Sequence, residues 1–304
     1  MRKKNYQLKH DRYYGVKADT YAMMLSAMWR DYRRCRKSKG RNYNFGPERR
    51  LELFLRRLYH GDTFDRLAFD FGISKSSAHR IFWRIVDILQ AIKAFNLIPP
   101  SKLKPGVYTV DGTIIKIQRS SDWKKQKAHY SGKHHTHCAK VQIIAPKGTI
   151  CPHSVTFTRY GSTHDMALFK RMYGKLPAGV ILDGDSGYQG IDKLIPDSLT
   201  PYKKPKGGEL TEEQKDFNKA FARTRIKIEH CNSYIKRFDI IGGVYYGAIA
   251  GLERVIKLIC GICKFELTDD FSVIIIRICG TTLIIGRNRF ENKNSFSIRR
   301  LSSA

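Results

Sequence analysis

The chain has 304 residues, and its 56 Lys and Arg residues outnumber its 27 Asp and Glu residues to give a net charge of +29. The length allows two domains with a sizeable core, and the charge indicates a polyanionic partner. DNA or RNA is favoured over a membrane, because no basic amphipathic segment stands out and no segment reaches the roughly 20 apolar residues that span a bilayer. The seven scattered cysteines are typical of reduced thiols in a cytosolic compartment rather than of a disulfide framework.

The first third of the chain shows helical periodicity. Apolar residues recur at helical spacing in residues 17–34 and 47–59, and Pro99-Pro100 ends a helical region at 1–98. Thr63 and Ser74 are suited to cap two further helices, with Gly72 at the turn between them. This pattern predicts a helix-turn-helix DNA-binding domain at about residues 47–92, with a plain packing unit as the alternative. The DNA contacts predicted on its second helix are Lys75, Ser76, His79, Arg80 and Arg84.

The pattern of the remaining chain predicts a sheet with helices. The β-prone segments are 107–118, 137–146, 150–158 and 178–183, and the helical segments are 164–174 and 211–238. Thr211 and Gln214 fit a capping box at the start of the last helix. This order predicts an α/β domain at residues 99–268, in which a mixed sheet is flanked by helices.

Three acidic residues stand where they could converge. Asp111 ends a β-branched run, Asp185 follows another, and Glu229 lies in the middle of the long helix. In sheets of this kind the site gathers at the strand ends, and converging carboxylates bind hard divalent cations. Asp183 is an alternative to Asp185 as the second of these three acids, because alternate side chains of a strand point to the same side.

Basic residues accompany these acids. Arg225 and Lys236 share a helix face with Glu229, where they are placed to contact phosphates or screen the acids, although a helix salt-bridge ladder is an alternative explanation. Lys124, Lys125 and Lys133 fall in a segment that we interpret as a basic hairpin following DNA.

Five segments, in this order, resemble the DDE-type transposases of bacterial insertion sequences. The most similar group is the insertion-sequence-five family, which is related to the Harbinger-like nucleases, and the resemblance covers roughly residues 45–268. The matching segments are Val110-Asp111-Gly112-Thr113, Tyr130-Ser131-Gly132-Lys133, Gly161-Ser162-Thr163-His164-Asp165, Gly184-Asp185-Ser186-Gly187-Tyr188-Gln189-Gly190 and Arg225-Ile226-Lys227-Ile228-Glu229-His230.

The resemblance implies an RNase H-like fold whose catalytic acids are Asp111, Asp185 and Glu229 in that order. These would bind two Mg²⁺ ions, with Mn²⁺ able to substitute. The implied reaction is metal-dependent DNA strand cleavage at the element ends, followed by strand transfer into target DNA. The alternatives are a catalytically silent, domesticated DNA-binding protein and a simple metal-dependent endonuclease.

The implied partners are double-stranded DNA, as terminal inverted repeats and target, and a second copy of the chain in a homodimer, with no membrane partner. The expected location is the cytoplasm of a bacterium, at the nucleoid, or the nucleus of a eukaryote. Residues 269–304 resemble nothing in the family pattern, and we hypothesise that this tail comes from a shifted reading frame.

Overall fold

The structure is a computed structural model that describes residues 12–37 and 45–268, together with the backbone of three strands between 273 and 301. Within these residues, no helix is long and apolar enough to cross a membrane. The described residues divide into two compact units. The first unit contains the residues up to 96 with 238–240 and those from 265 onward, and the second contains 97–237 and 241–264.

The first unit begins with four helices: α1 (Ala18–Lys37), α2 (Pro47–Tyr59), α3 (Phe64–Phe71) and α4 (Lys75–Gln90). The amphipathic faces of the last three meet in a buried cluster that includes Leu53, Leu67 and Ala78. Phe54 and Phe82 stack with their ring centroids 5.3 Å apart. These contacts remove apolar surface from water, which is the main stabilising contribution to a small helical unit.

The turn between α3 and α4 has the predicted helix-turn-helix pattern. Thr63 Oγ1 accepts a hydrogen bond from the Arg66 N–H at 3.2 Å, which caps α3. Gly72 ends α3 in the left-handed region at φ 63°, and Ser74 Oγ accepts from the Ser77 N–H at 3.2 Å to cap α4. The predicted caps and turn are therefore confirmed.

The second unit contains a six-stranded sheet with helices between its strands. Its elements are β1 (Gly106–Ile117), α5 (Trp123–His129), β2 (Tyr130–Ser131), β3 (Thr136–Pro146), β4 (Ser154–Thr158), α6 (Asp165–Tyr173), β5 (Val180–Asp183), α7 (Glu212–Lys236) and β6 (Val244–Tyr245). Helix α8 (Asp239–Gly242) precedes β6, and α9 (Ile249–Leu267) follows it. The capping box predicted at the start of α7 is present at Thr211 and Gln214.

Strand β1 lies in the middle of this sheet and has different partners along its two edges. It pairs antiparallel with β3 along one edge. Along the other edge it pairs in parallel with β5 through residues 106–109 and with β6 through residues 116–117. Strand β3 also pairs antiparallel with β2 and β4. The sheet is therefore mixed and flanked by helices, as predicted.

The two faces of β1 have different surroundings, because successive side chains of a strand alternate. Tyr108 and Val110 belong to a buried cluster with Phe169 of α6 and Tyr188. Asp111 faces the opposite way and contacts side chains of α7. Helix α7 buries Phe221, Ile228, Cys231 and Ile235, which form an apolar stripe at helical spacing. Strand β1 thus packs against α6 on one face and contacts α7 on the other.

The structure differs from the sequence-based prediction at residues 123–129, and it shows three strands in the C-terminal tail. The predicted basic hairpin is a helix, α5, because Asp122 caps the Lys124 and Lys125 N–H groups; the hairpin itself is the following β2–β3 pair. In the tail, β7 (Val273–Ile278), β8 (Thr281–Arg287) and β9 (Phe296–Leu301) form an antiparallel sheet. Residues 269–272, 279–280, 288–295 and 302–304 lie outside the described residues, and the shifted reading frame stays a hypothesis.

Candidate active site

Asp111 is the central carboxylate of the candidate site. Its side chain is only 14% exposed, and both of its oxygens have donors from α7. Arg225 Nη2 lies 3.3 Å from Oδ1, and Asn232 Nδ2 donates a 2.6 Å hydrogen bond to Oδ2. Arg225 and Asn232 are seven residues apart, so they lie on the same side of the helix after two turns. This pair holds the Asp111 carboxylate against α7.

The pKa of Asp111 is changed by burial and by the charges of neighbouring residues, among them the predicted acids. Burial raises the pKa of Asp111 to about 6, against the lowering effect of the nearby Arg225 guanidinium. The negative charges of Asp185, Glu229 and Asp165 each raise the pKa further. Like charges raise the pKa of a neighbouring carboxylate in this way. The three acids predicted from the sequence and Asp165 are therefore near enough for their charges to act on Asp111.

The position of Asp185 follows from the pairing of β1 with β5. Thr109 is opposite Asp183 at the end of this parallel pairing, and Asp111 and Asp185 each lie two residues farther along. Asp185 begins a single turn of 3₁₀ helix, Ser186–Tyr188, and its Oδ1 accepts a 2.9 Å hydrogen bond from the Gly187 N–H. This turn places Asp185 at the carboxyl end of β5, beside Asp111 of the neighbouring strand.

Asp183, the competing candidate, has structural partners. It is 1% exposed, Lys147 Nζ lies 2.8 Å from its Oδ2, and the Leu199 N–H donates a 3.2 Å hydrogen bond to its Oδ1. A carboxylate committed to a lysine and a loop N–H stabilises the end of β5. This difference favours Asp185 as the second acid of the site.

Glu229 and Lys236 are brought to the site by α7. Glu229 is exposed on this helix, between Arg225 and Asn232 in sequence. The pKa of Lys236 is lowered by burial, while Asp111 raises it and Lys116 lowers it. Lys236 is therefore close enough to Asp111 to be a counter-charge for the acids, as the sequence suggested for Arg225 and Lys236.

Three polar residues of the site were not assigned to it from the sequence: Asp165, Lys140 and Asn232. Asp165 begins α6, and its Oδ1 lies 3.1 Å from Lys140 Nζ. Asp165 lies in one of the segments that resemble the transposase family. Asn232 shares its helix face with Arg225, Glu229 and Lys236, whereas Lys140 had no local signal and is brought close by the pairing of β1 with β3.

The DNA contacts predicted on α4 are on its surface, and each has a neighbour within the first unit. Lys75 pairs with Asp65 at 2.7 Å, and Arg84 pairs with Asp31 of α1 at 2.7 Å. Ser76 Oγ lies 3.0 Å from Ser74 Oγ, His79 Nε2 accepts from Trp83 Nε1 at 3.0 Å, and Arg80 donates to Ser77 Oγ at 3.3 Å. Lys124 and Lys125 are exposed on α5, and Lys133 is exposed in the β2–β3 turn. Among the predicted DNA contacts, Arg84 is thus the one that other residues of the first unit hold most strongly.

Comparison with known proteins assigns the chain to a family. Residues 110–264 match the DDE superfamily endonuclease family, and residues 45–92 match the helix-turn-helix of DDE superfamily endonuclease. The chain belongs to the DDE superfamily endonucleases. The match runs from Val110 within β1 through most of α9 and therefore includes Asp111 and the three carboxylates whose charges act on it.

Two relatives of this DDE endonuclease are named as transposases. One, for insertion sequence element IS702 of Microchaete diplosiphon, is 31% identical over 268 residues, which cover 85% of this chain and 94% of the relative. The other, for insertion sequence element IS112 of Streptomyces albus G, is 26% identical over 231 residues, or 72% of this chain and 83% of the relative.

The acids of this DDE endonuclease fit a divalent cation by chemistry and charge. Carboxylate oxygens are the donors that Mg²⁺ and Mn²⁺ prefer, and the like charges around Asp111 are the kind that a cation offsets. In residues 12–37 and 45–268, no group of three or more His, Cys, Asp or Glu side chains is arranged to hold a metal ion. Both carboxylate oxygens of Asp111 are engaged by Arg225 and Asn232 of α7.

Without metal, the DDE endonuclease is expected to lose stability as the pH rises from about 4 to about 6. Burial raises the pKa of Asp111 from 3.8 to about 6, so the folded chain binds this proton more tightly than the unfolded chain. Asp111 therefore contributes stability below the unfolded pKa, and the contribution is lost as the pH rises through the folded pKa. At roughly 1.4 kcal/mol per pKa unit, the loss is at most about 3 kcal/mol.

Urea unfolding in chelator at pH values from about 4 to 7 measures this loss. An Asp111→Asn variant cannot ionise, so its stability should be less pH-dependent than that of the wild type and greater at pH 7. Asp192→Asn, which removes an exposed carboxylate, is the matched control and should follow the wild type. Identical pH profiles for Asp111→Asn and the wild type would contradict the buried, charge-repelled environment of Asp111.

Proposed function

We propose that this chain is a transposase that cleaves DNA strands at the ends of its element and transfers them into target DNA. Asp111, Asp185 and Glu229 are the proposed catalytic residues and the ligands of two divalent ions, Mg²⁺ or in its place Mn²⁺. The observation that carries the proposal is a buried Asp111 whose pKa is raised by burial and by the charges of Asp185 and Glu229, within residues that match the DDE endonuclease family. The transposases named among its relatives support the same reaction.

Bound metal ions would activate the attacking oxygen and stabilise the leaving oxygen of a phosphodiester. In cleavage, the oxygen of water forms a bond to phosphorus, the bond to the 3′ oxygen breaks, and that oxygen leaves as a 3′-hydroxyl. In transfer, this 3′-hydroxyl attacks a target phosphodiester and displaces a new 3′-hydroxyl. No protein nucleophile takes part, so the carboxylates keep their charge through both steps.

The basic residues have complementary roles in this proposal. Arg225 and Lys236 lie close to Asp111 and screen the acids, where they are also placed to contact a phosphate. Helix α4 binds the terminal inverted repeat through Lys75, Ser76, His79, Arg80 and Arg84, and Lys124, Lys125 and Lys133 contact the DNA backbone.

Two element ends have to be joined, which favours a homodimer on paired ends. The DNA substrate places its action at the nucleoid of a bacterium or in the nucleus of a eukaryote.

Incubation with a duplex carrying the flanking inverted repeat tests the reaction. Strand cuts at the element end are expected with Mg²⁺ or Mn²⁺ and none with chelator, and a target plasmid should yield joined products. A duplex with a scrambled repeat is the control for sequence-dependent binding.

The alternative functions give different outcomes in this assay. Tight repeat binding without any cut would indicate a silent DNA-binding protein. Cutting without joined products would indicate a simple endonuclease. Cleavage that is unaffected by chelation would contradict the assignment of metal ligands.

A further inference from the structure

A cleft of about 600 Å³ lies beside Asp185 in the second unit. Residues of three segments that resemble the transposase family line it, and Lys140, Met166 and Lys203 complete the lining. The residues from those segments are Ser131, Gly132, Lys133, Gly161, Ser162, His164, Asp165, Asp185, Ser186, Gly187 and Gln189. Asp111 is not among the lining residues, since its side chain is directed toward α7. The cleft therefore adjoins the acids at Asp185 and continues away from them.

The lining has the chemistry of an anion site. It contains the ammonium groups of Lys133, Lys140 and Lys203 together with hydroxyl and amide groups, and the carboxylates of Asp165 and Asp185 lie at its end beside the acids. Lys133 and Lys203 are exposed, and no carboxylate of the described residues forms an ion pair with either. Three lysines around one cleft attract a phosphate by charge and by hydrogen bonding.

Lys140 is the most firmly placed of these cations. It lies opposite Ile114 of β1 and Thr158 of β4, so two neighbouring strands hold its backbone. Its side chain is 12% exposed, and its ammonium group lies 3.1 Å from Asp165 Oδ1. A cation held in this way loses little conformational entropy when it binds a ligand.

Asp165 is in turn held between the backbones that carry the acids. A Cβ at Gly112 would lie 3.0 Å from Asp165 Oδ1, and a Cβ at Gly187 would lie 3.4 Å from Oδ2. The two glycines, which follow Asp111 and Asp185 closely in sequence, leave the space that Asp165 occupies. Asp165 is thus the counter-charge of Lys140 at the point where the cleft meets the acids.

We infer that this cleft binds a phosphodiester of an unpaired DNA strand next to the cut, and that the phosphate replaces Asp165 as the partner of Lys140. Lys133 and Lys203 contribute the outer positive charge. The volume lies within the roughly 300–1,000 Å³ of pockets that hold a single small molecule, which suits one nucleotide of a single strand and is too small to enclose a duplex. This inference rests on the proposed function, because it takes DNA as the substrate of the adjoining acids.

Binding of a fluorescent 5′-phosphorylated single strand of about ten nucleotides, a length within the usual range of single-strand sites, tests this inference. Anisotropy is measured in chelator over a series of salt concentrations, so no cleavage takes place. For Lys140→Gln and for Lys203→Gln, the slope of log affinity against log salt should fall by about 0.7, the value for one phosphate contact on a single strand. Lys170→Gln, which removes an exposed lysine of α6 outside the cleft, should keep the wild-type slope.

The ion pair itself gives a second and sharper test. Lys140→Gln should weaken binding of the single strand, whereas Asp165→Asn should strengthen it, because the competing carboxylate is removed. A structural role for the pair would instead produce losses in both variants. With a duplex of the same sequence, neither variant should change the slope.

The results that would overturn the inference are distinct from failure of the proposed function. Unchanged slopes for Lys140→Gln and Lys203→Gln, or weaker binding by Asp165→Asn as well, would remove the phosphate site even if the protein cleaves DNA. An enzyme that fails to cleave in Mg²⁺ but shows the opposite effects of Lys140→Gln and Asp165→Asn would keep the cleft as a strand-binding site and lose the reaction.

Discussion

Asp111→Asn is expected to lower the rate of metal-dependent strand cleavage by at least about 10³-fold, the scale of removing one member of a catalytic constellation. The buried Asp111 carboxylate is surrounded by the charges of Asp185 and Glu229, and an amide has only one oxygen and no negative charge to offer a cation. Asp185→Asn and Glu229→Gln should cause losses of similar scale. The measurement is the single-turnover cutting rate on a duplex with the inverted repeat.

Two controls separate chemistry from folding in this series. Repeat binding by Asp111→Asn should match the wild type, since α4 belongs to the other unit. Asp183→Asn should retain cleavage within about tenfold and lose stability, because Asp183 is buried against Lys147 and the Leu199 N–H. Cutting by the Asp111→Asn protein at the wild-type rate would eliminate the site assignment. If Asp183→Asn lost cleavage but kept its stability, Asp183 rather than Asp185 would be the second catalytic acid.

Arg80→Ala is expected to weaken binding to the inverted repeat by about 1–3 kcal/mol, the usual contribution of one base-reading arginine. Arg80 is exposed on α4 and has a 3.3 Å hydrogen bond to Ser77 Oγ, so it can turn toward a base edge with little internal cost. The measurement is the affinity for the repeat and for a scrambled duplex, at fixed salt because the net charge makes all DNA binding salt-dependent.

Arg84→Ala provides the matched comparison on the same helix. Arg84 is ion-paired with Asp31 of α1 at 2.7 Å, so its removal should change repeat affinity less than Arg80→Ala and should lower stability by about 0–1 kcal/mol. Equal losses of specificity from the two variants would show that the Asp31 pair does not restrain Arg84. Unchanged discrimination in Arg80→Ala would remove α4 as the reading helix in the predicted orientation.

Local sequence patterns were sufficient for most of the secondary structure. The caps at Thr63, Ser74 and Thr211 and the turn at Gly72 depend on residues within three or four positions of each other. The mixed sheet followed from the order of β-prone and helical segments. The segment interpreted as a basic hairpin begins instead with a helix at residues 123–129, which Asp122 caps, and the hairpin is the β2–β3 pair that follows it.

The candidate site was only partly visible in this way. Asp111, Asp185 and Glu229 stood out because each has a distinctive local setting and a family resemblance. Asn232 and Lys140 had neither, and they join the site through the α7 contact and the β1–β3 register. Asp165 lies in a segment that resembles the family, but the sequence did not indicate which residues surround it. In the structure it occupies the space left beside Gly112 and Gly187, which have no side chains.

The sequence by itself determined the charge of +29, the helix caps and the order of strands and helices, and it singled out the candidate acids, because these depend on composition and on neighbours along the chain. Only the tertiary structure decided which groups engage those acids: Arg225 and Asn232 on Asp111, Lys147 on Asp183, and Lys140 on Asp165. Such partners are far apart in sequence, and strand register and helix packing, which are cooperative properties of the whole unit, set their distances.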